Sequence, residues 1–310
     1  MLAQSLIFKI KNLIFKMNKR NFFIVDVFAV DKYTGNQLAV FFDNNLSDAE
    51  MQRIAKEMNY SETTFITSTE MQDGGYNVRI FTPEQELPFA GHPTLGTAYI
   101  IQQEIIKQQV DSIILNLKIG QIPVTPHYIN DEIDILWMQQ KQATFHRILE
   151  PEALAPVLNL NIEEIDHKFP IQEVSTGVPF IIVPIKNHAA LKQIKVNKDK
   201  YFELIEKTEA KALLVFCPET NHQENDLSVR MFADYLGVPE DPATGSANGC
   251  LAGYLVEHSY FGKEIIDIRV EQGYEIGRPS LLLLKAEKQA DQIKVEVGGK
   301  VVMVAKGEFV

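Results

Sequence analysis

Three side chains, Glu62 in "NYSETTFI", His92 in "FAGHPTLG" and Asp241 in "VPEDPATGSANGC", combine a titratable group with a position where chemistry is feasible. Glu62 stands between a helix-like segment and an apolar strand-like run. A carboxylate at such an edge is partly desolvated, which raises its pKa and suits it to proton transfer near neutrality. The same position also fits an ordinary solvated glutamate. His92 precedes Pro93, a residue suited to a first helical turn. There the positive end of the helix dipole keeps imidazole neutral and attracts an anion, although a histidine capping a helix without any ligand has the same signature. Asp241 stands just before a run of small residues. It could simply stabilise a helix dipole, worth about 0.5–1 kcal/mol. Gly245, Ser246 and Ala247 after it form a close-approach surface whose N–H groups and hydroxyl can bind an anion.

The elements that must position these residues can be read from hydrophobic periodicity. "FFIVDVFAV" and "QLAVFFD" are β-rich and separated by the polar "DKYTGN". In "LSDAEMQRIAKEMN", Ser47 and Glu50 make a capping box, while Met51, Ile54, Ala55 and Met58 share one helical face. "TTFITST" and "YNVRIFT" predict strands around Asp73-Gly74-Gly75, and "PTLGTAYIIQQEI" predicts a helix. After "PEALAPVLNL" a second series of strands and helices begins. It ends in an antiparallel run through "IDIRVEQG", "PSLLLLKAE" and "QIKVEVGGKVVMVAKGEF".

The two series resemble one another. Val78-Arg79-Ile80-Phe81 lies over Val229-Arg230-Met231-Phe232. The alignment then places His92-Pro93 over Asp241-Pro242 and Gly96 over Gly245. A duplicated α+β unit predicts pseudo-twofold symmetry, with two helix N-termini facing one cleft. The expected division is a first lobe over 21–145, with C-terminal strands able to return to it, and a second over 146–310. Residues 1–20 hold five basic residues and no acidic one, and read as an N-terminal extension or a mis-assigned start ahead of Met17. Glu86 and Glu240 hold comparable positions upstream of the two helices, from which they could also reach the cleft, but solvent exposure is the expectation for both.

Composition narrows the function classes. With 45% hydrophobic and 23% charged residues, the 310-residue chain is globular. A net charge of -11 disfavours sequence-independent nucleic-acid binding, which needs a basic face. No apolar run is long enough to span a bilayer. Two cysteines, Cys217 and Cys250, make no disulfide framework, which fits a reducing cytoplasm, and both read as core. The histidines form no short ligand spacing, so no metal is expected, and no phosphate-cradling glycine motif points to a nucleotide cofactor.

"VDVFAVDKYTGNQLAVF", "MNYSETTFI", "VRIFTPEQELPFAGHPTLGTA", "STGVPF", "VRMFADYLGVPEDPATGSANGCLAGYL" and "VEQGYEIGRPS" together resemble the PhzF family, named for an isomerase of phenazine biosynthesis, within the diaminopimelate-epimerase-like fold. The resemblance runs from about Phe22 to the C-terminus. It implies an α+β fold of two similar lobes, each a β-barrel-like sheet around a central helix, with the active site between them. It implies that Glu62 is the proton-transfer residue, that His92 and Asp241 flank the substrate, and that Gly91, Gly245 and Ser246 contribute backbone donors. It also implies no cofactor or metal, and a homodimer. Related epimerases use one cysteine thiol from each lobe. This chain has no cysteine before Cys217, so two-thiol racemisation is excluded and one-base isomerisation remains. The expected function is proton relocation on a small anionic, carboxylate-bearing metabolite. The alternative is a non-catalytic metabolite-binding protein on the same scaffold.

Overall fold

The computed structural model describes residues 20–43, 45–290 and 292–309. The expectation for the basic N-terminal stretch falls outside these, except that Arg20 opens the first strand and bonds Asp43 at 2.9 Å.

The fold is mixed α+β, and it follows from two runs of strand-forming sequence that pair in the same way. Strands β1 (Arg20–Val27) and β2 (Asn36–Phe42) form an antiparallel pair. Helix α1 (Asp48–Met58), opened by the Ser47–Glu50 capping box, leads to β3 (Glu62–Ile66), which lies parallel to β2. β4 (Tyr76–Phe81) runs antiparallel to β3, and the short β5 (Glu86–Leu87) folds back on β4. Helix α2 (Gly91–Ile100) follows, continuing as a π-helical turn to Ile106. β6 (Ile113–Leu117), parallel to β4, then meanders through β7 (Gly120–Ile129) to β8 (Glu132–Gln139).

After β9 (Thr144–Leu149) and α3 (Pro151–Leu158), the pattern recurs. β10 (Ile171–Ser175) and β11 (Pro179–Pro184) pair antiparallel. Helices α4 (His188–Gln193) and α5 (Lys198–Ile205) cross to β12 (Ala212–Cys217), parallel to β11. β13 (Leu227–Ala233), β14 (Val238–Asp241) and the inner helix α6 (Gly245–Glu257) answer to β4, β5 and α2. β15 (Ile265–Gln272), parallel to β13, continues through β16 (Ser280–Gln289) to β17 (Gln292–Gly299). The halves are laced together. β8 pairs with β17, β9 pairs with β10, and β18 (Val301–Phe309) returns to pair with β1.

Each half wraps its strands around an inner helix and shields the outer strand face with further helices. α2 and α6 share one core with strands of both halves, including Leu95, Ala98, Leu251, Leu255, Val40 and Leu284. Both helices are buried on nearly every side, and small or apolar residues fill most of their positions. α6 can sit this deep because its inner positions are small: a Cβ on Gly253 would come within 2.8 Å of the Ala143 side chain. α1 covers Phe41, Phe65 and Phe81 on the outer face of the first half, and α3 to α5 cover Ile181, Leu213 and Val215 on the second. Among the described residues, no helix is long and apolar enough to cross a membrane.

Glu86 and Glu240 are not the solvated residues expected. Each is clamped by the arginine of the repeated motif, Arg79 on Glu86 and Arg230 on Glu240, both at 2.7 Å. Each arginine also lies over the phenylalanine two residues on, Phe81 or Phe232, at about the same height. The ion pair lets the short β5 and β14 strands turn back on their neighbours without leaving a lone carboxylate at the edge. The two copies differ in depth. Arg230 is 8% exposed and also donates to the carbonyls of Leu191 and Ile194, whereas Arg79 is 26% exposed and Glu86 has a second cation in Lys118. R230M, which strands Glu240 as a buried charge, should therefore lose about 3–5 kcal/mol of stability. R79M should lose about 1 kcal/mol or less, because the partner remains paired and wetter. Urea denaturation of the two variants measures the difference.

Candidate active site

Glu62 is the first residue of β3 and shares a strand face with Thr64, whose hydroxyl lies 2.8 Å from that of Thr97 on α2. This face points Glu62 at the start of the inner helix, where His92 occupies the first turn. The two meet, with His92 Nε2 3.4 Å from Glu62 Oε2, and neither atom has a hydrogen-bond partner. Only 6% of the His92 side chain and 16% of the Glu62 side chain remain exposed. His92 also bonds the backbone carbonyl of Gln37. The tautomer that fits both contacts carries its proton on Nδ1 and turns the Nε2 lone pair toward Glu62.

Asp241 ends β14 and is 6% exposed. Asn36 at the start of β2 donates its amide to Asp241 Oδ1 at 3.0 Å and to the Ala243 carbonyl at 2.9 Å. The Thr244 hydroxyl donates to Oδ2, and the Ser61 hydroxyl and Ala243 N–H also bond the carboxylate. From behind, Gln272 donates to the Asp241 carbonyl at 2.9 Å, while its own oxygen accepts from Asn248.

Burial sets the protonation states. It pushes Glu62 up to about 8, helped by the negative charge of Asp241 nearby. It pushes His92 down to about 3, against the Gln37 bond that favours the cation. It pushes Asp241 up to about 6, against the four donors that favour its anion. At neutral pH the imidazole is therefore neutral, Asp241 mostly ionised and Glu62 mostly protonated. Among the described residues, His, Cys, Asp and Glu side chains nowhere gather in threes as a bound metal ion would require.

Gly91 and Gly245 are the first residues of the two inner helices, and neither helix has a side-chain N-cap. They touch: a Cβ on Gly91 would lie 3.3 Å from Ser246 N and 3.5 Å from Gly245 Cα. The first turns of the two inner helices, whose N–H groups have no intrahelical partners, thus lie against one another.

The repeat alignment must be corrected here. Gly91, not Gly96, is the counterpart of Gly245, and His92 falls over Ser246 rather than Asp241. Three extra residues, the 3₁₀ turn Asp234–Leu236, separate β13 from β14 and shift the register. Pairing partners then place Leu87 opposite Asp241 and Ala212 opposite Glu62. Asp241 and His92 come into one site, but from non-equivalent positions. Gly96 instead packs inside the first half, against Leu38 and Val27. Both cysteines are core as expected: burial pushes each thiol up to about 11.

Sequence reasoning missed Asn36 and Gln272, which are 2% and 1% exposed. "DKYTGN" reads as a polar connection, yet its asparagine belongs to β2, in step with the core residues Leu38 and Val40. A polar residue at an inward position of an otherwise apolar alternation was the available signal.

Comparisons with known proteins agree with this architecture. The PhzC–PhzF family, described as phenazine biosynthesis-like protein, matches residues 25–307. A trans-2,3-dihydro-3-hydroxyanthranilate isomerase of Pseudomonas aeruginosa is 36% identical over 288 residues, covering 92% of this chain and 97% of that protein. An uncharacterized isomerase of Clostridium acetobutylicum is 32% identical, covering 95% and 99%. The crystal structure of a Bacillus anthracis phenazine biosynthesis protein of the PhzF family superposes with a TM-score of 0.86 at 27% identity, over 94% of this chain and 99% of that one. A hydroxyproline epimerase from Agrobacterium vitis, 8% identical with a TM-score of 0.63 over 94% and 91%, shares the fold. The relatives favour an enzyme over the non-catalytic binding scaffold, and the chain belongs to the phenazine biosynthesis-like PhzF family, as an isomerase.

Proposed function

We propose that the chain catalyses a one-base proton relocation on a small carboxylate-bearing metabolite, with Glu62 as the acid/base. The observation that carries this reading is the Glu62–His92 pair, a carboxyl group raised to about 8 and lodged beside a neutral imidazole under a helix N-terminus. Ionised Glu62 takes a proton from carbon, and the C–H electron pair moves into the conjugated system of the substrate. The protonated carboxyl group then returns the proton to another carbon of that system. His92 and Asp241 orient the ligand and stabilise the charge that develops. Gly91, Gly245, Ser246 and Ala247 supply N–H donors for its carboxylate. The substrate of the Pseudomonas aeruginosa relative, by its name trans-2,3-dihydro-3-hydroxyanthranilate, is the first compound to offer.

The test is solvent deuterium incorporation, starting with that compound and extending to cyclic and acyclic carboxylates. E62Q should keep its fold and ligand affinity and lose exchange by about 10²–10⁴-fold. Near-normal incorporation by E62Q would sink the assignment.

The pH dependence follows from the same group. A base of pKa about 8 is ionised in roughly one molecule in ten at pH 7, so kcat/KM should climb from pH 6 and level off above about 8. Folding stability should show the opposite slope. The folded chain holds the Glu62 proton more tightly than the unfolded chain, so this residue favours folding below the ordinary carboxylate range and progressively less as pH rises through 8. E62Q should therefore gain on the wild-type Tm between pH 5 and pH 9. A constant gap would show that Glu62 is not buried in its neutral form.

A further inference from the structure

We infer that Arg278 is a positioning residue for the isomerisation, bracing Asn36 against Asp241 from the opposite half of the fold. The inference rests on the reading of Glu62 and Asp241 as the reacting site.

Arg278 lies in the turn between β15 and β16 and reaches more than two hundred residues back along the chain. Its guanidinium donates to the Asp26 carboxylate at 2.7 Å, to the Thr34 carbonyl at 2.8 Å and to the Gly35 carbonyl at 2.9 Å. Asp26 is 2% exposed, and its second oxygen accepts from Tyr33 N at 2.7 Å. The loop between β1 and β2 is thus gripped at three consecutive residues, immediately before Asn36. Backbone bonds from Gly35 N to the Pro279 carbonyl and from Leu281 N to the Phe28 carbonyl run alongside. Gly35 has φ +69, and a Cβ there would collide with the Val27 carbonyl and Ala29, so this loop fits in one way only.

The other side of the same turn touches Asp241. Gln272 holds the Asp241 carbonyl, and Gly273 sits against Pro242 so closely that a Cβ would come within 2.6 Å of its oxygen. Arg278 N donates to the Gly273 carbonyl at 2.9 Å, which ties the two ends of the turn together. The segment from Gln272 to Arg278 is therefore a strut with Asp241 at one end and the carrier of Asn36 at the other. The Asn36 amide closes the loop onto Asp241 Oδ1. A bidentate or forked guanidinium fixes angle as well as distance, which an ammonium group cannot do. Displacing Asp241 relative to Glu62 by even 1 Å is enough to slow a positioned reaction about 100-fold.

The experiment compares wild type, R278M, R278K, D26N and E62Q in the deuterium assay with trans-2,3-dihydro-3-hydroxyanthranilate, and by amide hydrogen exchange without ligand. R278M should lose about 10–100-fold in kcat with KM within about threefold, and R278K should recover part of the loss. Amide exchange in R278M should quicken in both 28–36 and 241–247. The inference is overturned if folded R278M keeps kcat within twofold, if the loss falls on KM alone, or if faster exchange stays within 273–281. Should R278M fail to fold, R278K and D26N are held to the same criteria. Full exchange by E62Q would instead refute the reading of the site, while the amide measurement still decides whether the brace exists.

Discussion

Two helix N-termini that repel one another are held in contact at Gly91 and Gly245, and the rest of the site is arranged around that contact. Each start carries the positive end of a helix dipole and uncapped N–H groups. The duplicated strand pairings bring the two inner helices to this point, where Gly91 lets the backbones meet and Gly245 leaves room for the Phe28 ring. The ionised Asp241 beside the α6 start offsets part of the repulsion. Asp241 cannot do this without its own donors, which is why Asn36, Ser61 and Thr244 converge on a single carboxylate.

The electrostatics of the site therefore depend above all on burial. Glu62 and Asp241 are two acids within reach of one another, and burial lets one of them keep its proton at neutral pH. Four donors around Asp241 make it the one that ionises. Glu62, with an unpartnered Oε2, keeps the proton. A neutral His92 neither competes for that proton as a stronger base nor neutralises Asp241 as a cation. Oε2 of Glu62 and Nε2 of His92 are buried with no polar neighbour among the described residues but each other, at 3.4 Å. Such groups are tolerated where chemistry, not stability, dictates the residue.

Much of this was legible in the sequence because it rests on local patterns. The capping box of α1, the strand runs and the repeated V-R-hydrophobic-F motif all announce themselves within a few residues. Glu62, His92 and Asp241, which the fold brings close together, could be singled out because each stands at a junction of strand and helix. What stayed hidden depended on distance along the chain. Glu86 and Glu240 look exposed until Arg79 and Arg230 are seen folded onto them. Asn36 looks like part of a turn until its amide crosses 205 residues to Asp241. Gly245, Ser246 and Ala247 read as a close-approach surface for an anion, yet a Cβ on Gly245 would come within 3.1 Å of the Phe28 ring, and Gly249 and Gly253 make room for Gln140 and Ala143. The alignment of His92 with Asp241 failed for a related reason. An insertion of one 3₁₀ turn is invisible when similar X-Pro pairs stand on both sides of the gap.

Correcting that alignment alters what the duplication means. The two halves keep the same pairings, the same Arg–Glu clamp and the same glycine at the inner helix start, so the scaffold has stayed symmetric. The chemistry has not. Ala212 stands where the first half has Glu62, Leu87 where the second has Asp241, and Ser246 where the first has His92. A racemase or epimerase that inverts a carbon must deliver a proton to the face opposite the one it was taken from, which requires a group on each side. In the proposed mechanism Glu62 alone transfers the proton, which leaves and returns on the same face of the ligand. On the proposed mechanism, that confines the chain to moving a proton between atoms of one substrate face, a narrower task than inversion on the fold it shares with the hydroxyproline epimerase.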